Sequence, residues 1–425
     1  MRWARAEPLR WVREHRTLVA LGTLWLLFVA NFTVFAVDLD SGYSFTLVQK
    51  FFGERHDAST YQFGLAFVEV PMYAFSKLFV AAGLTSVGGL PIGPGVICIF
   101  MALLVLVTCL LLVPLLRELR LPGPAFPLLI GLFGTPLFWY GTFSPTQTHV
   151  LDTLLFTVLL VLLFRYFRTE TPPAWLPVAM GVIVVYSATV RYFTGAEAVG
   201  LVGGLLVLRR RRDAGLVVLP MALAGLVLVL LSAAGVHGLL EGPASARISH
   251  QESARLVSHL YPLTPVRMLF SNRRGLFVWT PAMLLGAIGY VRLLRTRPRE
   301  RPFLAIGAAM AVSLVAIYAL VQSWDGGFGF SQRYLTSLFP LAVLGIASLL
   351  EWRPVVARVV GIVAACWALM LGAFVALGFG FDEHTSVATD FPRGILDGKY
   401  SAGIIAQNLY DNSHVKVFFP RWHHH

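Results

Sequence analysis

Long apolar runs separated by short polar segments dominate the chain. A run of about 20 apolar residues is the length at which a helix crosses the hydrocarbon core of a bilayer. Eleven runs approach this length, although several are short or interrupted, and they predict an all-α polytopic membrane protein. The predicted spans are residues 17–37, 92–115, 124–143, 150–166, 174–190, 194–208, 214–238, 275–291, 303–322, 334–350 and 355–381.

Composition agrees with this pattern. The 425 residues are 57% hydrophobic and only 13% charged, whereas a soluble protein carries roughly 25% charged residues. The cysteines, Cys98, Cys109 and Cys366, all lie inside apolar runs. Their positions exclude a disulfide framework and a zinc-ligand spacing.

The net charge of +12 is distributed unevenly between the two predicted sides. Lys and Arg residues concentrate next to cytoplasmic span ends in membrane proteins. With the N-terminus inside, the short inner segments hold 20 of the 34 Lys and Arg residues; they are 1–16, 116–123, 165–173, 209–213, 292–302 and 351–358. The basic excess therefore predicts a cytoplasmic N-terminus and does not indicate a nucleic-acid partner.

The predicted outer face carries three long segments, 38–91, 239–274 and 382–425. Within the first, residues 61–79 interleave aromatic and aliphatic residues with Glu69 and Lys77, which predicts one or two helices in the interface plane. We expect Pro71 to break or bend them. The predicted organisation is a transmembrane domain over 1–381 and a short outer tail over 382–425.

An acidic motif, Asp38-Leu39-Asp40-Ser41-Gly42-Tyr43, follows the first predicted span. Ionisable residues at membrane depth are costly and are often functional. A carboxylate pair can accept a proton from a hydroxyl or bind a divalent cation such as Mg or Mn, although two ligands are few for a metal. The alternative is the start of a solvated loop.

Further polar residues are predicted at the same outer depth. A mixture of acids and bases beside an apolar wall suits chemistry on a lipid phosphate, since a carboxylate can activate a hydroxyl and an arginine can neutralise a leaving phosphate. The set comprises Asp38, Asp40, Tyr43, His56, Asp57, Glu69, Lys77, His149, Asp152, Arg191, Arg273, Arg274, Asp325 and Arg333.

Several of these residues also have a purely structural interpretation. His149 and Asp152 share one helix face at the start of a span. There the helix dipole alone can favour a carboxylate such as Asp152. Arg273, Arg274 and Arg333 lie at span mouths, where arginines reach towards lipid headgroups.

Arg191 is different because it separates two predicted spans. Glu197 follows six residues later, and the two can form a structural pair inside the membrane.

Few residues lie outside the spans on the predicted inner face. Its connections are short and contain no Walker loop. Chemistry is therefore expected on the outer face, where cytosolic nucleotides are absent.

Five segments resemble bacterial GT-C-type glycosyltransferases that use a polyprenyl-phosphate-linked sugar, a class related to protein O-mannosyltransferases and aminoarabinose transferases. None is a strict signature alone, but their order and membrane placement carry the resemblance over about a quarter of the chain. The segments are VDLDSGYSFTLVQKFFGERHD, YQFGLAFVEVPMYAFSKLF, GTPLFWYGTFSPTQTHVLD, LFSNRRGLFVWTPAMLLGAIG and SWDGGFGFSQRYLTSLFPLAVLG.

The resemblance implies an inverting sugar transfer on the outer face of the bacterial inner membrane. An acidic residue of the first outer loop would accept the proton of a hydroxyl-bearing acceptor, and Asp40 matches that position best. The family commonly has Asp-Glu there, so Asp38 stays open as the base. Arg333 matches the residue that binds the lipid phosphate. The predicted substrate-binding residues are Tyr43, His56, Asp57, His149, Asp152, Arg273, Arg274, Trp324 and Arg333.

Two other classes compete with this enzyme. A transporter or flippase of lipid-linked sugars favours inverted repeats and midplane charges; Arg191 and Glu197 are the hint, but no repeat is visible. A noncatalytic scaffold leaves the acidic motif unexplained.

Overall fold

The computed structural model describes residues 16–32, 45, 47–54, 63–87, 90–233, 263–271, 274–320 and 330–376, nearly all of them helical. The α-helices are α1 Arg16–Phe32, α2 Phe63–Ala81, α3 Ile92–Glu118, α4 Ala125–Gly134, α5 Leu137–Thr142, α6 His149–Arg168, α7 Trp175–Val190, α8 Glu197–Val207, α9 Arg211–Ala233, α10 Thr264–Phe270, α11 Leu276–Trp279, α12 Pro281–Thr296, α13 Arg301–Tyr318, α14 Phe339–Trp352 and α15 Pro354–Ala376.

Three shorter features complete the described elements. Two 3₁₀ helices span Tyr192–Ala196 and Arg333–Leu338. The strands β1 (Ser86–Val87) and β2 (Leu90–Pro91) pair antiparallel. Apart from this short ladder, the regular secondary structure of the described residues is helical, as the sequence predicts.

Six helices in the described part of the chain are long and apolar enough to cross a membrane: Gly64–Ala81, Ile92–Glu118, His149–Arg168, Arg301–Tyr318, Arg333–Trp352 and Pro354–Gly372. Shorter apolar helices cover Leu18–Val29, Ala125–Gly134, Trp175–Val190 and Tyr192–Val207. The prediction of a helical membrane protein is confirmed. The number eleven stays a prediction, as does the division between 1–381 and 382–425.

Several predicted spans are broken near one end of the bundle. The predicted span 124–143 divides into α4 and α5 at Thr135, which is extended and precedes Pro136. A second break falls at Thr280, before Pro281 opens α12. Proline disfavours the helical conformation of the preceding residue. These breaks bring non-helical backbone and polar side chains to a common level of the bundle.

The helix ends define two layers, which we name the site end and the basic end. At the site end, α6 begins at His149, α7 ends before Arg191 and α13 ends at Tyr318. About 30 Å away along α6, the basic end carries Arg117, Arg120, Arg165, Arg168, Arg209, Arg210, Arg211, Arg212, Arg292, Arg295, Arg297, Arg299, Arg301, Arg353 and Arg358. The same end carries Glu118, Glu170, Asp213, Glu300 and Glu351.

Helix α2 corrects the expectation that Pro71 breaks this segment, whereas a bend at Pro71 stays a prediction. Pro71 lies inside a single continuous helix and does not end it. A proline deletes one backbone donor and can be accommodated within a helix that packing stabilises. The Tyr186 hydroxyl donates to the Gly64 carbonyl (2.9 Å), and the Phe75 ring lies 6.1 Å from that of Phe100. The placement of α2 in the interface plane stays a prediction.

Close packing between α12 and α14 depends on glycine. A Cβ atom on Gly289 would meet the Gly345 carbonyl oxygen inside van der Waals contact, and one on Gly345 would meet the Gly286 carbonyl oxygen. Small residues let membrane helices approach at backbone distance. Arg274 precedes α12 in the chain, and Arg333 precedes α14. The glycine contact therefore fixes the two helices that follow these arginines.

We expect Gly345→Ala to destabilise the protein by about 1–3 kcal/mol, because the obstructing atoms are backbone atoms that cannot rotate away. Gly225→Ala in α9 is the matched control, since a Cβ there meets nothing within 4 Å; it should be neutral or slightly stabilising. Thermal unfolding in detergent measures both. Equal melting temperatures for the two variants would contradict the proposed packing.

Candidate active site

Arg191 occupies the junction between α7 and the following 3₁₀ helix. Its backbone is extended there (φ −151°), and its side chain is 11% exposed. The guanidinium Nη1 lies 2.8 Å from His149 Nδ1 and 3.5 Å from Asp152 Oδ2. A guanidinium only donates hydrogen bonds. His149 Nδ1 is therefore the acceptor, which leaves the imidazole proton on Nε2.

Two tyrosine rings complete the surroundings of Arg191. Tyr318 and Tyr334 stack with centroids 4.7 Å apart and planes 3° apart. The guanidinium carbon lies 4.9 Å from the Tyr334 centroid and 5.5 Å from that of Tyr318. Such cation–π contacts gain strength when the charge is desolvated. Arg191 is thus held by side chains from α6, α13 and the second 3₁₀ helix.

The predicted pairing of Arg191 with Glu197 is wrong for the described residues. The carboxylate partner of Arg191 is Asp152, because α6 packs beside α7 and presents His149 and Asp152 on one face. Glu197 begins α8 and is buried near Asp152, close enough for the two charges to interact.

Three arginines lie against the aromatic rings near Tyr140. The Tyr140 hydroxyl donates to the Phe330 carbonyl (3.1 Å). The guanidinium carbons of Arg191 and Arg333 lie 4.9 and 5.4 Å from the Tyr334 centroid. That of Arg274 lies 5.5 Å from the centroid of Trp279, whose ring packs on Phe330. The Tyr140 ring lies 4.2 Å from the ring of His149. The site end therefore contains a cationic centre built from residues far apart in sequence.

A strained turn positions Arg333. Ser331 is fully buried and adopts the left-handed conformation (φ 53°), which is uncommon outside glycine. It follows Phe330, which packs on Trp139 and Trp279 at centroid distances of 5.1 and 5.5 Å. Backbone strain persists where surrounding packing imposes it, and it is concentrated at functional sites.

Four buried polar atoms near Arg191 have no hydrogen-bond partner among the described residues. They are Asp152 Oδ1, Ser187 Oγ, Glu197 Oε2 and the Tyr318 hydroxyl. Buried polar groups are normally satisfied, and exceptions indicate bound water, an ion or a ligand. The region around Arg191 thus offers both acceptors and hydroxyl groups.

One anchor joins the segment that precedes α2 to α2 itself. The Tyr73 hydroxyl donates to Glu54 Oε2 (2.6 Å), and Lys77 forms an ion pair with the same carboxylate. Burial raises the pKa of Glu54, but the hydrogen bonds from Lys77 and Tyr73 outweigh it and bring this pKa below its usual value. The anchor fixes the chain immediately before His56 and Asp57.

Of the residues predicted for the site, the structure brings together His149, Asp152, Arg274 and Arg333. The others lie outside the described residues: Asp38, Asp40, Tyr43, His56, Asp57, Arg273 and Trp324. The sequence analysis placed Arg191 among the polar residues at outer depth but did not predict it to bind substrate, although its break between two spans was a signal. Tyr140, Tyr318 and Tyr334 gave no signal, because a tyrosine in an apolar run is typical of core packing.

Within the described ranges, no group of three or more His, Cys, Asp or Glu side chains could hold a metal ion. Asp38 and Asp40 were not covered by that search, so metal binding by this pair stays a prediction.

Comparison with known proteins shows a similarity to a solved structure. No protein-family model matches the sequence, and no curated protein matches it. The chain is similar to the crystal structure of ArnT from Cupriavidus metallidurans bound to undecaprenyl phosphate. The two share 15% identity with a TM-score of 0.49, over 95% of this chain and 75% of that one. The functional conclusion below therefore depends on the residues of this chain.

We expect Asp152→Asn and Arg191→Gln each to destabilise the protein by about 3–5 kcal/mol, because either change leaves a buried group without its ionic partner. The double variant should be less destabilised than the sum of the two, which a double-mutant cycle of thermal unfolding measures. Arg295→Gln, at the exposed basic end, is the control and should change little. Additive effects would show that the pair is not coupled.

Proposed function

We propose that the protein transfers a sugar from a polyprenyl-phosphate donor to a hydroxyl-bearing acceptor, with inversion, on the outer face of the bacterial inner membrane. The observation that carries the proposal is the position of Arg191, Arg274 and Arg333 against the aromatic rings of the site end. These three arginines are permanently charged, and the buried acids beside them are Asp152 and Glu197. Such a site suits a ligand that carries several negative charges.

The chemistry divides between two groups. Asp40, with Asp38 as helper, accepts the acceptor's hydroxyl proton as its oxygen attacks the anomeric carbon. The bond between that carbon and the phosphate oxygen breaks on the opposite side. Polyprenyl phosphate leaves with the electron pair, and the arginines stabilise the charge that develops on it.

The unpartnered atoms support a hydroxyl-rich substrate. Asp152 Oδ1 and Glu197 Oε2 offer acceptors, and the Tyr318 hydroxyl can donate or accept. A sugar ring carries several hydroxyl groups that could satisfy all three. An apolar ligand would leave them without hydrogen bonds, at a cost of about 1–3 kcal/mol for each.

The charge distribution supports the proposed orientation. Arginines crowd the basic end, and the positive-inside rule assigns such an end to the cytoplasm. The site end would then face outwards, with the N-terminus inside. Nucleotide-linked sugars are absent there, which favours a donor that is already attached to a lipid.

We expect Arg333→Gln and Arg274→Gln each to lower the transfer rate by about 10²–10³-fold, because each removes a cation from the leaving phosphate. Lysine at either position should restore part of the rate, since it keeps the charge but not the planar fork. The assay follows sugar transfer from undecaprenyl-phosphate-linked donors by mass spectrometry. Arg295→Gln should keep full activity. Unchanged rates in both glutamine variants would refute the phosphate site.

We expect Asp40→Asn to abolish transfer while the protein still folds and binds undecaprenyl phosphate, since an amide cannot accept the proton. Asp38→Asn should be less severe if Asp38 only assists. Full activity of Asp40→Asn would overturn its assignment, and loss of activity in Asp38→Asn alone would make Asp38 the base. Repeating the wild-type assay with a chelator tests for a divalent metal.

The sugar and acceptor can be identified together by mass spectrometry of lipids and envelope glycans from cells with and without the protein. Loss of one glycan modification, with accumulation of one lipid-linked sugar, would support the transferase. Counterflow of a lipid-linked sugar into proteoliposomes without any glycosidic product would instead indicate a transporter or flippase.

A further inference from the structure

A cavity of about 340 Å³ lies at the basic end, at the far end of α6 from Arg191. The last turns of α3 and α6 and the start of α7 form its walls. This volume is about ten times the ~30 Å³ share of one water molecule in the liquid. The lining residues are Glu118, Phe164, Arg165, Arg168, Thr169, Pro173, Trp175 and Leu176.

The cavity has a cationic side and an apolar side. Arg165 and Arg168 lie three residues apart on one face of α6, and Phe164, Pro173, Trp175 and Leu176 supply the apolar surface. The Trp175 side chain is 57% exposed. Tryptophan prefers the headgroup level of a bilayer, where one edge of the ring is apolar and the other is wet.

The guanidinium groups are available to a ligand. The Arg165 carbonyl accepts from Thr169 (2.9 Å from its hydroxyl), but the guanidinium of Arg165 forms no hydrogen bond or ion pair with the described residues. Arg168 lies 3.6 Å from Glu118, but both side chains are about half exposed (44% and 54%). Exposed pairs of this kind contribute little, so an incoming anion can displace the carboxylate.

Other charged residues near the cavity add to the positive charge of Arg165 and Arg168. Arg117 and Arg120 are exposed at the end of α3, and Glu170 is exposed just after α6. The described residues in and around the cavity thus include four arginines and two carboxylates. They are Arg117, Arg120, Arg165 and Arg168, with Glu118 and Glu170. Basic pockets between membrane helices at the cytoplasmic level bind anionic lipid headgroups.

We propose that this cavity binds the phosphodiester headgroup of an anionic phospholipid, with Arg165 and Arg168 on the phosphate and Trp175 against the glycerol backbone. The inference does not depend on the proposed transferase activity, since the cavity lies at the opposite end of the bundle. A free phosphate has the same anionic chemistry, and the experiment below separates the two sources.

The test is native mass spectrometry of the full chain, delipidated and titrated with phosphatidylglycerol or phosphatidylcholine. We expect wild type to retain phosphatidylglycerol preferentially, and Arg165→Gln/Arg168→Gln to weaken its binding about tenfold. Arg295→Gln/Arg299→Gln is the matched control: it removes two exposed arginines from the same end and should bind like wild type.

A second arm adds inorganic phosphate. If phosphatidylglycerol stays bound in millimolar phosphate, the result supports a lipid headgroup as the ligand. If phosphate displaces the lipid, the proposal of a lipid ligand is overturned in favour of a free anion. Equal binding of both lipids, or equal losses in the two double variants, would refute the site. Size-exclusion profiles of each variant confirm that it is folded.

Discussion

A guanidinium buried at one end of a helical bundle is the constraint on which the candidate site depends. Removing Arg191 from water is costly, and the cost is offset only because Asp152, His149 and two tyrosine rings surround it. Those partners come from α6, α13 and the second 3₁₀ helix. The arrangement therefore ties the packing of several helices to the position of one charge.

The two ends of the bundle carry positive charge in different ways. At the basic end the arginines are mostly exposed, and carboxylates accompany some of them, such as Glu351 with Arg292 and Arg297. Of the described cations at the site end, Arg191, Arg274 and Arg333 lie against aromatic rings. Water screens the first group and not the second. The site end is accordingly suited to stabilising charge on a bound phosphate, and the basic end to orienting the protein and contacting headgroups.

Sequence reasoning predicted the helical membrane architecture, because long apolar runs leave few alternatives. It also selected His149, Asp152, Arg274 and Arg333, since polar residues at span mouths stand out. It could not show that Arg191 pairs with Asp152, because that contact joins residues 39 positions apart through helix packing. Nor could it distinguish Tyr140 from an ordinary core tyrosine. The break predicted at Pro71 was wrong, because a local preference for breaking a helix was weaker than the tertiary packing of α2.

The glycine contact between α12 and α14 has a mechanical consequence. Arg274 lies just before the short helix that leads into α12, and Arg333 lies just before α14. Where two backbones touch, neither helix can slide along the other without collision, so the spacing of the two cations is set by the scaffold. In the proposed transferase, a phosphate bound by these two arginines would meet a framework that does not relax around it. The free energy that a softer site would lose in rearrangement would then stay available to the proposed reaction.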